Sequence, residues 1–316
     1  MALRNSIFAV SGKASFLDAR RDMSGLFVCD YTTMMPVPGI LDRRYDNLVT
    51  SNSNSMSVTV HPFNAILNRH GALLIQNDGD VKVPLSAAPS ANSRIDVVYV
   101  KQNESRSPMS DGSDVPMFGV VKGTAAATPV APSVPDGALA LAQVLLPAGV
   151  SNTAAGGVVI TQTYIGAALK GDMLRVWTSA QRDALTYMPE GTLLHNVADG
   201  CDYVRKGGKW RGWNMPQRDI HLGKHKVHMW ASGGVAHISL ATDNINLTGW
   251  GSKIAIAQVN NSAFYPTATE SCYAPSRDGY FPTSVSVSTD GTVRAEYVGG
   301  SAGNRIVSTI LSYYIG

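Results

Sequence analysis

The sequence has few charged residues, and glutamate is the scarcest of them. Only 16% of the 316 residues are charged, and the only glutamates are Glu104, Glu190, Glu270 and Glu296. Helix surfaces are usually filled with Glu, Lys and Ala, so this composition disfavours a mainly helical protein. The plentiful Val, Thr, Ser, Asn and Gly instead favour strands joined by turns.

Net charge and cysteine content exclude two further classes. The formal net charge of +3 is small, and the cationic residues are dispersed, so we expect no nucleic-acid partner. Cys29, Cys201 and Cys272 are too widely separated for a disulfide framework or a metal-ligand spacing. We expect reduced and mostly buried thiols.

Long apolar runs are also missing. The longest, residues 138–150, is interrupted by Gln143 and Pro147 and is too short to span a bilayer. The N-terminal stretch MALRNSIFAVSGKASF contains no apolar core long enough for a secretory signal. We therefore expect a protein that is made in a cytoplasm and is not inserted in a membrane.

A set of short strands is what the sequence does contain. Residues 94–100 and 117–123 are rich in β-branched side chains, which predicts two strands. Residues 139–147 are apolar on both faces, which predicts a third strand in the middle of a packed sheet. Residues 124–136 contain three prolines, which lack N–H donors, so we expect this segment to cross the surface unpaired.

Two short helices and two hairpins are predicted beside these strands. The helices are residues 16–23 and residues 178–185, and Thr178 is a candidate N-cap. The pair Asp78 and Gly79 and the pair Asp290 and Gly291 each separate two strand-like stretches. Asp-Gly is a strong short-range signal for a hairpin turn.

The order of these elements predicts a mainly β protein with four parts. Residues 1–151 form an N-terminal β-sandwich-like domain, 152–172 a linker, 173–215 a small α/β spacer with β-α-β-β order, and 216–316 a C-terminal antiparallel β-sandwich of jelly-roll type. The spacer is too short to bury a core alone, so we expect a homotrimer. Its threefold contact is expected to be lined by Met173, Leu174, Val176 and Trp177.

Three stretches resemble proteins of tailed bacteriophages. RIDVVYV followed by VVKGTAAATPVAPSVPDGALALAQVLLPAGV resembles a segment of minor tail and baseplate proteins, and SGLFV, PVPGIL and MSVTVHP precede it in the expected order, so this resemblance covers residues 16–163. VWTSAQRDAL with GTLLHNVADGCDYVRKGGKW is similar to a small β-α-β-β insert of tail fibres. YFPTSVSVSTDGTVRAEY resembles the C-terminal β-sandwich of receptor-binding proteins.

The resemblance implies a structural virion protein of a tail tip or baseplate, made in the host cytoplasm. Its N-terminal domain is expected to attach to other tail or baseplate proteins. Its C-terminal domain is expected to contact a host-surface glycan or cell-wall polymer. The alternative is a virion-associated carbohydrate-active enzyme, a glycan hydrolase or esterase.

Catalytic and metal-binding patterns give little support to that alternative. The sequence has no H-E-x-x-H motif, no Gly-rich phosphate loop after a strand and no β-helical repeat. His221, His225 and His228 would share one face of a helix, but on the strand that we expect there, His228 points away from the other two. We predict no catalytic residues, no metal and no cofactor.

Aromatic residues of the last hundred positions are the candidate contacts for recognition. A ring held on a loop can stack on the apolar face of a sugar or fill an interface pocket. Trp250, between Gly249 and Gly251, is the first candidate. The alternative for each ring is burial in the sandwich core or at a subunit interface. The full set of candidates is Trp250, Trp230, Tyr265, Tyr273 and Tyr280.

Overall fold

The computed structural model describes residues 15–41, 47–275, 282–300 and 302–316. The chain divides into two compact units: unit 1 is Met1–Arg175 with Tyr187–Pro189, and unit 2 is Val176–Thr186 with Glu190–Gly316. The protein has a mainly β fold with several sheets, as the sequence predicts. None of the helices in the described ranges is long and apolar enough to cross a membrane.

The described part of unit 1 begins with a helix, α1, at Phe16–Ser24. A capping box closes its first turn, since the Ser15 hydroxyl accepts from the Asp18 N–H at 3.2 Å and the Asp18 carboxylate accepts from the Ser15 N–H at 2.9 Å. The predicted helix is confirmed. The strands that follow are β1 (Gly39–Ile40), β2 (Val49–Ser51), β3 (Ser57–Val60), β4 (Phe63–Asn68), β5 (Ala72–Asn77), β6 (Val81–Pro84), β7 (Arg94–Gln102), β8 (Pro116–Val121), β9 (Leu139–Leu146) and β10 (Val159–Gln162).

These strands form three antiparallel sheets. The largest has the order β10-β9-β7-β8, and the others are β1-β4-β5 and β2-β3-β6. β9 lies between two partners, and its Leu141, Val144 and Leu146 are fully buried. The prediction of an apolar strand in the middle of a packed sheet is therefore confirmed.

The hairpin predicted at Asp78 and Gly79 is wrong. β5 pairs with β4 and β6 pairs with β3, so the loop between β5 and β6 joins two different sheets. Gly79 does not adopt the positive φ that a type I′ hairpin turn requires. A pattern that marks a turn does not fix which strands pair across it.

Unit 2 contains the second helix and most of the remaining strands. In α2 (Ser179–Ala184) the Thr178 hydroxyl accepts from the Gln181 N–H at 3.1 Å, which confirms the predicted N-cap. The remaining strands are β11 (Leu174–Val176), whose first two residues belong to unit 1, β12 (Leu193–Asn196), β13 (Cys201–Lys206), β14 (Lys209–Asp219), β15 (Lys226–Ser232), β16 (Val235–Ala241), β17 (Ile245–Leu247), β18 (Lys253–Gln258), β19 (Glu270–Pro275), β20 (Pro282–Val287), β21 (Thr292–Tyr297), β22 (Gly303–Arg305) and β23 (Ser308–Tyr314), with a 3-10 turn at Ser262–Phe264.

A seven-stranded sheet runs β11-β12-β13-β14-β15-β16-β23, and its neighbouring strands from β12 onward are antiparallel. Its strands alternate buried and accessible residues, and Val227, Met229 and Ile238 are among the fully buried ones. A four-stranded sheet, β18-β21-β20-β19, and the pair β17-β22 complete the unit. β20 and β21 form the hairpin predicted at Asp290 and Gly291.

The residues expected as linker and spacer take part in these sheets. Within 152–172, β10 pairs with β9, and beyond position 215, β14 continues to Asp219. Leu174 and Val176 are fully buried in the chain. Their side chains therefore have no surface left for the threefold contact that the sequence suggested.

Candidate functional site

Trp250 is 80% exposed, which is unusual for so large an apolar side chain. It lies in the loop between β17 and β18, where Gly249 has a φ of 148° and Gly251 a φ of 81°. Residues with a Cβ rarely adopt such positive φ angles, so the loop conformation that presents the ring depends on its two glycine neighbours.

The base of this loop is fixed to the adjacent sheet. The Ser252 N–H donates to the Gly249 carbonyl and the Tyr297 N–H donates to the Ser252 carbonyl, each at 3.0 Å. Trp250 packs in a T-shaped arrangement against the buried Tyr297 ring, with centroids 5.8 Å apart. The guanidinium of Arg305 lies 4.5 Å from the centroid of the same tyrosine. The Tyr297 ring and the backbone hydrogen bonds of the loop thus fix the position of the indole, while most of its surface faces solvent.

Tyr273 is the second exposed candidate, at 78%. It lies on β19, opposite Ser284 of β20, at one edge of the four-stranded sheet. The Trp250 loop leads into β18 at the other edge. Three strand spacings, roughly 14 Å, separate these edges. The two rings therefore lie at opposite edges of the four-stranded sheet.

Trp230 belongs to the accessible face of β15 in the seven-stranded sheet. Its half-buried ring stacks on His237 of β16, with centroids 5.1 Å apart. His237 Nδ1 lies 2.8 Å from the Ser312 hydroxyl of β23. This cross-strand contact ties three strands together and leaves only part of the indole for a ligand.

Tyr265 has a structural role in the fold. Its ring covers the β20–β21 turn so closely that a Cβ on Gly291 would lie 2.5 Å from Tyr265 Cε1. Tyr280, the remaining candidate, lies outside the described residues. Among the four candidates that the structure describes, Trp250 is the one that combines a fixed loop with a largely exposed ring.

The three clustered histidines do not lie on one strand. His228 lies in β15 and pairs with Asp219, whereas His221 forms a bridge with Ala257 and His225 follows a turn. The side-to-side alternation expected for a single strand therefore does not apply. Over the described ranges, no three His, Cys, Asp or Glu side chains are grouped closely enough to hold a metal.

A short pattern, Gly-Gly-Ser-Ala-Gly at residues 299–303, matches the spacing of a hydrolase nucleophile elbow. Its Ser301 lies outside the described residues. A nucleophile elbow joins a strand to a helix, whereas Gly303 begins the strand β22. The pattern lacks the structural context that would make it a catalytic motif.

The described cysteines are free thiols, and two of them are buried. Burial, followed by the negative charge of Asp199, raises the pKa of Cys201 to about 12. Burial also raises the pKa of Cys29. A thiol with a raised pKa is a poor nucleophile because the thiolate is the reactive form.

Sequence reasoning missed a cationic cleft in unit 2. It has a volume of about 430 Å³ and is lined by α2, the β13–β14 hairpin and the 3-10 turn. The signal in the sequence is RKGGKWRGW, residues 205–213, in which cations alternate with tryptophans. The charged and aromatic lining residues are Arg182, Asp183, Arg205, Lys209, Trp210 and Arg211.

Comparison with protein-family models finds no match to this chain, and comparison with curated proteins finds none either. The functional conclusion therefore depends on the residues and geometry of the chain itself.

Proposed function

We propose that this protein is a non-enzymatic structural protein of a phage tail tip or baseplate, and that unit 2 adheres to a glycan on the host surface. Attachment to the tail is assigned to the N-terminal part, on the strength of its resemblance to minor tail and baseplate proteins. The observation that carries the adhesive role is the Trp250 ring, fixed at its base and 80% exposed.

The expected energy of such a contact is modest. A sugar that covers about 80–100 Å² of the indole removes that apolar area from water, which contributes roughly 2 kcal/mol at about 25 cal/mol per Å². This corresponds to a change of about 30-fold in affinity. Several copies on one particle would convert such weak sites into strong attachment through avidity.

A microarray of bacterial capsular and cell-wall polysaccharides, probed with the labelled full-length protein, tests the proposal. We expect binding to at least one glycan, and we expect Trp250→Ala to weaken it about 30-fold. The unfolding midpoint should barely change, because truncation of an exposed side chain usually alters stability by about 0.5 kcal/mol or less.

Tyr31→Ala is the matched control, since Tyr31 is a 73% exposed aromatic residue of unit 1. Its loss should leave glycan binding unchanged. The proposal fails if the protein binds no glycan on the array. The role of Trp250 is refuted if both variants bind as the wild type does.

A further inference from the structure

The cationic cleft of unit 2 has more positive charge than its own carboxylates neutralise. Four cations line it, Arg182, Arg205, Lys209 and Arg211, against one carboxylate, Asp183. Asp183 already accepts a hydrogen bond from Arg182 Nε at 2.9 Å. Three lining cations are therefore left without a carboxylate in the cleft wall.

Arg205 is the decisive member of this set. It is only 7% exposed, and one of its donors, Nη2, bonds to the Thr186 carbonyl at 2.8 Å. Its Nε has no hydrogen-bond partner among the described residues, and the same is true of Nε1 of the buried Trp210. A buried cation costs free energy unless an anion or several acceptors compensate it.

The carboxylate that contacts the turn of the β13–β14 hairpin is already occupied. Glu190 accepts hydrogen bonds from the Gly207 N–H at 2.8 Å and from the Gly208 N–H at 2.9 Å, so both of its carboxylate oxygens stabilise the turn. Those two bonds, and to a lesser extent Arg205, lower the pKa of Glu190, which keeps it ionised at the turn. It remains an electrostatic neighbour of Arg205 without forming an ion pair with it.

We propose that this cleft binds an oxyanion group, a phosphate or a carboxylate, carried by a saccharide. Guanidinium groups bind such groups through strong, charge-assisted hydrogen bonds. The volume of about 430 Å³ exceeds the needs of a bare ion and is in the usual range of small-molecule sites. That the anion is attached to a sugar rests on the proposed function.

A nucleic acid is the less suitable ligand for this surface. Sequence-independent binding of single strands uses an extended basic groove in which successive bases stack on aromatic rings. The cleft is short, and its one aromatic residue, Trp210, is only 8% exposed. An acidic sugar requires only one anchored oxyanion.

The test is a calorimetric titration of the full-length protein with glucose 1-phosphate, inorganic phosphate and glucose at constant ionic strength. We expect glucose 1-phosphate to bind most tightly, inorganic phosphate more weakly and neutral glucose not at the cleft. Removal of a charge-assisted hydrogen bond weakens binding by about tenfold or more, which is the loss expected for Arg205→Gln.

A second set of variants keeps the test decisive if Arg205→Gln does not fold. The double variant Lys209→Gln with Arg211→Gln removes two less buried cations of the same cleft and should also weaken binding of glucose 1-phosphate. Lys206→Gln is the matched control, because Lys206 is exposed on the same hairpin but does not line the cleft. It should bind within about twofold of the wild type, since a solvated charge contributes little.

The proposal is overturned if glucose 1-phosphate does not bind, or if folded cleft variants bind it as tightly as Lys206→Gln does. Equal affinity for inorganic phosphate and glucose 1-phosphate would mean that the sugar contributes nothing to binding, which refutes a saccharide ligand. A single-stranded oligonucleotide that competes more strongly than the sugar phosphate also refutes the saccharide. Trp250→Ala should leave this binding unchanged, so failure of the Trp250 site and failure of the cleft are separate results.

Discussion

Replacement of Glu104 by Gln removes one negative charge from an ion-pair network inside unit 1. The Glu104 carboxylate accepts hydrogen bonds from Arg20 Nη1 at 2.9 Å and from Arg69 Nε at 3.1 Å. Arg69 also pairs with Asp111, whose other oxygen lies 2.7 Å from Lys101 Nζ. The network joins α1, the β4–β5 turn and the loop after β7.

The cost of this change follows from burial. The side chains of Arg69 and Glu104 are 3% and 13% exposed. Loss of one partner of a buried ion pair typically costs about 3–5 kcal/mol, and loss of an exposed pair at most about 1 kcal/mol. Arg69 keeps Asp111 and Gln can still accept one hydrogen bond, so we expect about 2–3 kcal/mol. For a domain of this size that lowers the unfolding midpoint by roughly 5–10 °C.

The pH dependence identifies the effect as ionic. Burial acts to raise the pKa of Glu104, but the hydrogen bonds and charges of Arg20 and Arg69 outweigh it and leave the pKa below its ordinary 4.5. A carboxyl group whose pKa is lower in the folded state stabilises the fold above its unfolded pKa, and this contribution is lost as the pH falls. The difference in free energy of unfolding between wild type and variant should therefore be complete at pH 7 and should shrink as the pH falls below about 4.5.

Urea denaturation followed by far-ultraviolet circular dichroism measures this difference. The five tryptophans all lie in unit 2, so their fluorescence provides a separate signal for that unit. Glu296→Gln is the matched control, since Glu296 pairs at 3.2 Å with Lys253 in a pair that is more exposed than Glu104 and Arg69, at 27% and 53%. A Glu104→Gln effect no larger than the control, or one that is unchanged between pH 7 and pH 3, would refute the reasoning.

Two further predictions concern single residues. At pH 8 in Ellman's assay, Cys272 should react in the native protein, while the buried Cys29 and Cys201 should react only on unfolding; fast reaction of all three would contradict the fold. Gly291→Ala should destabilise by about 1–3 kcal/mol, because φ is 78° and the new Cβ would lie 2.5 Å from Tyr265 Cε1. Gly79→Ala, with nothing within 4 Å of its Cβ, is the control for thermal unfolding.

Local signals predicted local structure well. The hydroxyl caps before α1 and α2 act within one helical turn, so the sequence is enough to place both helices. The Asp-Gly turn between β20 and β21 is equally local. Each of these features depends on residues that are neighbours along the chain.

Pairing between distant strands was beyond this reasoning. β5 and β6 are separated by a short turn, yet each pairs with a strand of another sheet, and only tertiary packing decides between that arrangement and a hairpin. β19 does not alternate polar and apolar residues, since Glu270 and Ser271 are followed by Cys, Tyr, Ala and Pro, so periodicity does not identify it as a strand. Whether a segment forms a strand depends on the neighbouring strands and side chains against which it packs. The sequence of the segment alone does not specify those neighbours.

The cationic cleft shows which part of a site can be found beforehand. Arg182 and Arg205 come from different elements, and beside its neighbour Asp183 the first has the pattern of a solvated helix face. Arg205, in contrast, could have been recognised from the alternation of its strand. In β13, positions 201, 203 and 205 share one face, and the first two are the apolar Cys201 and Tyr203. An arginine in phase with buried residues must find an acceptor or an anion. Strand alternation alone therefore singles out Arg205, whereas the number of cations around it becomes known only from the fold.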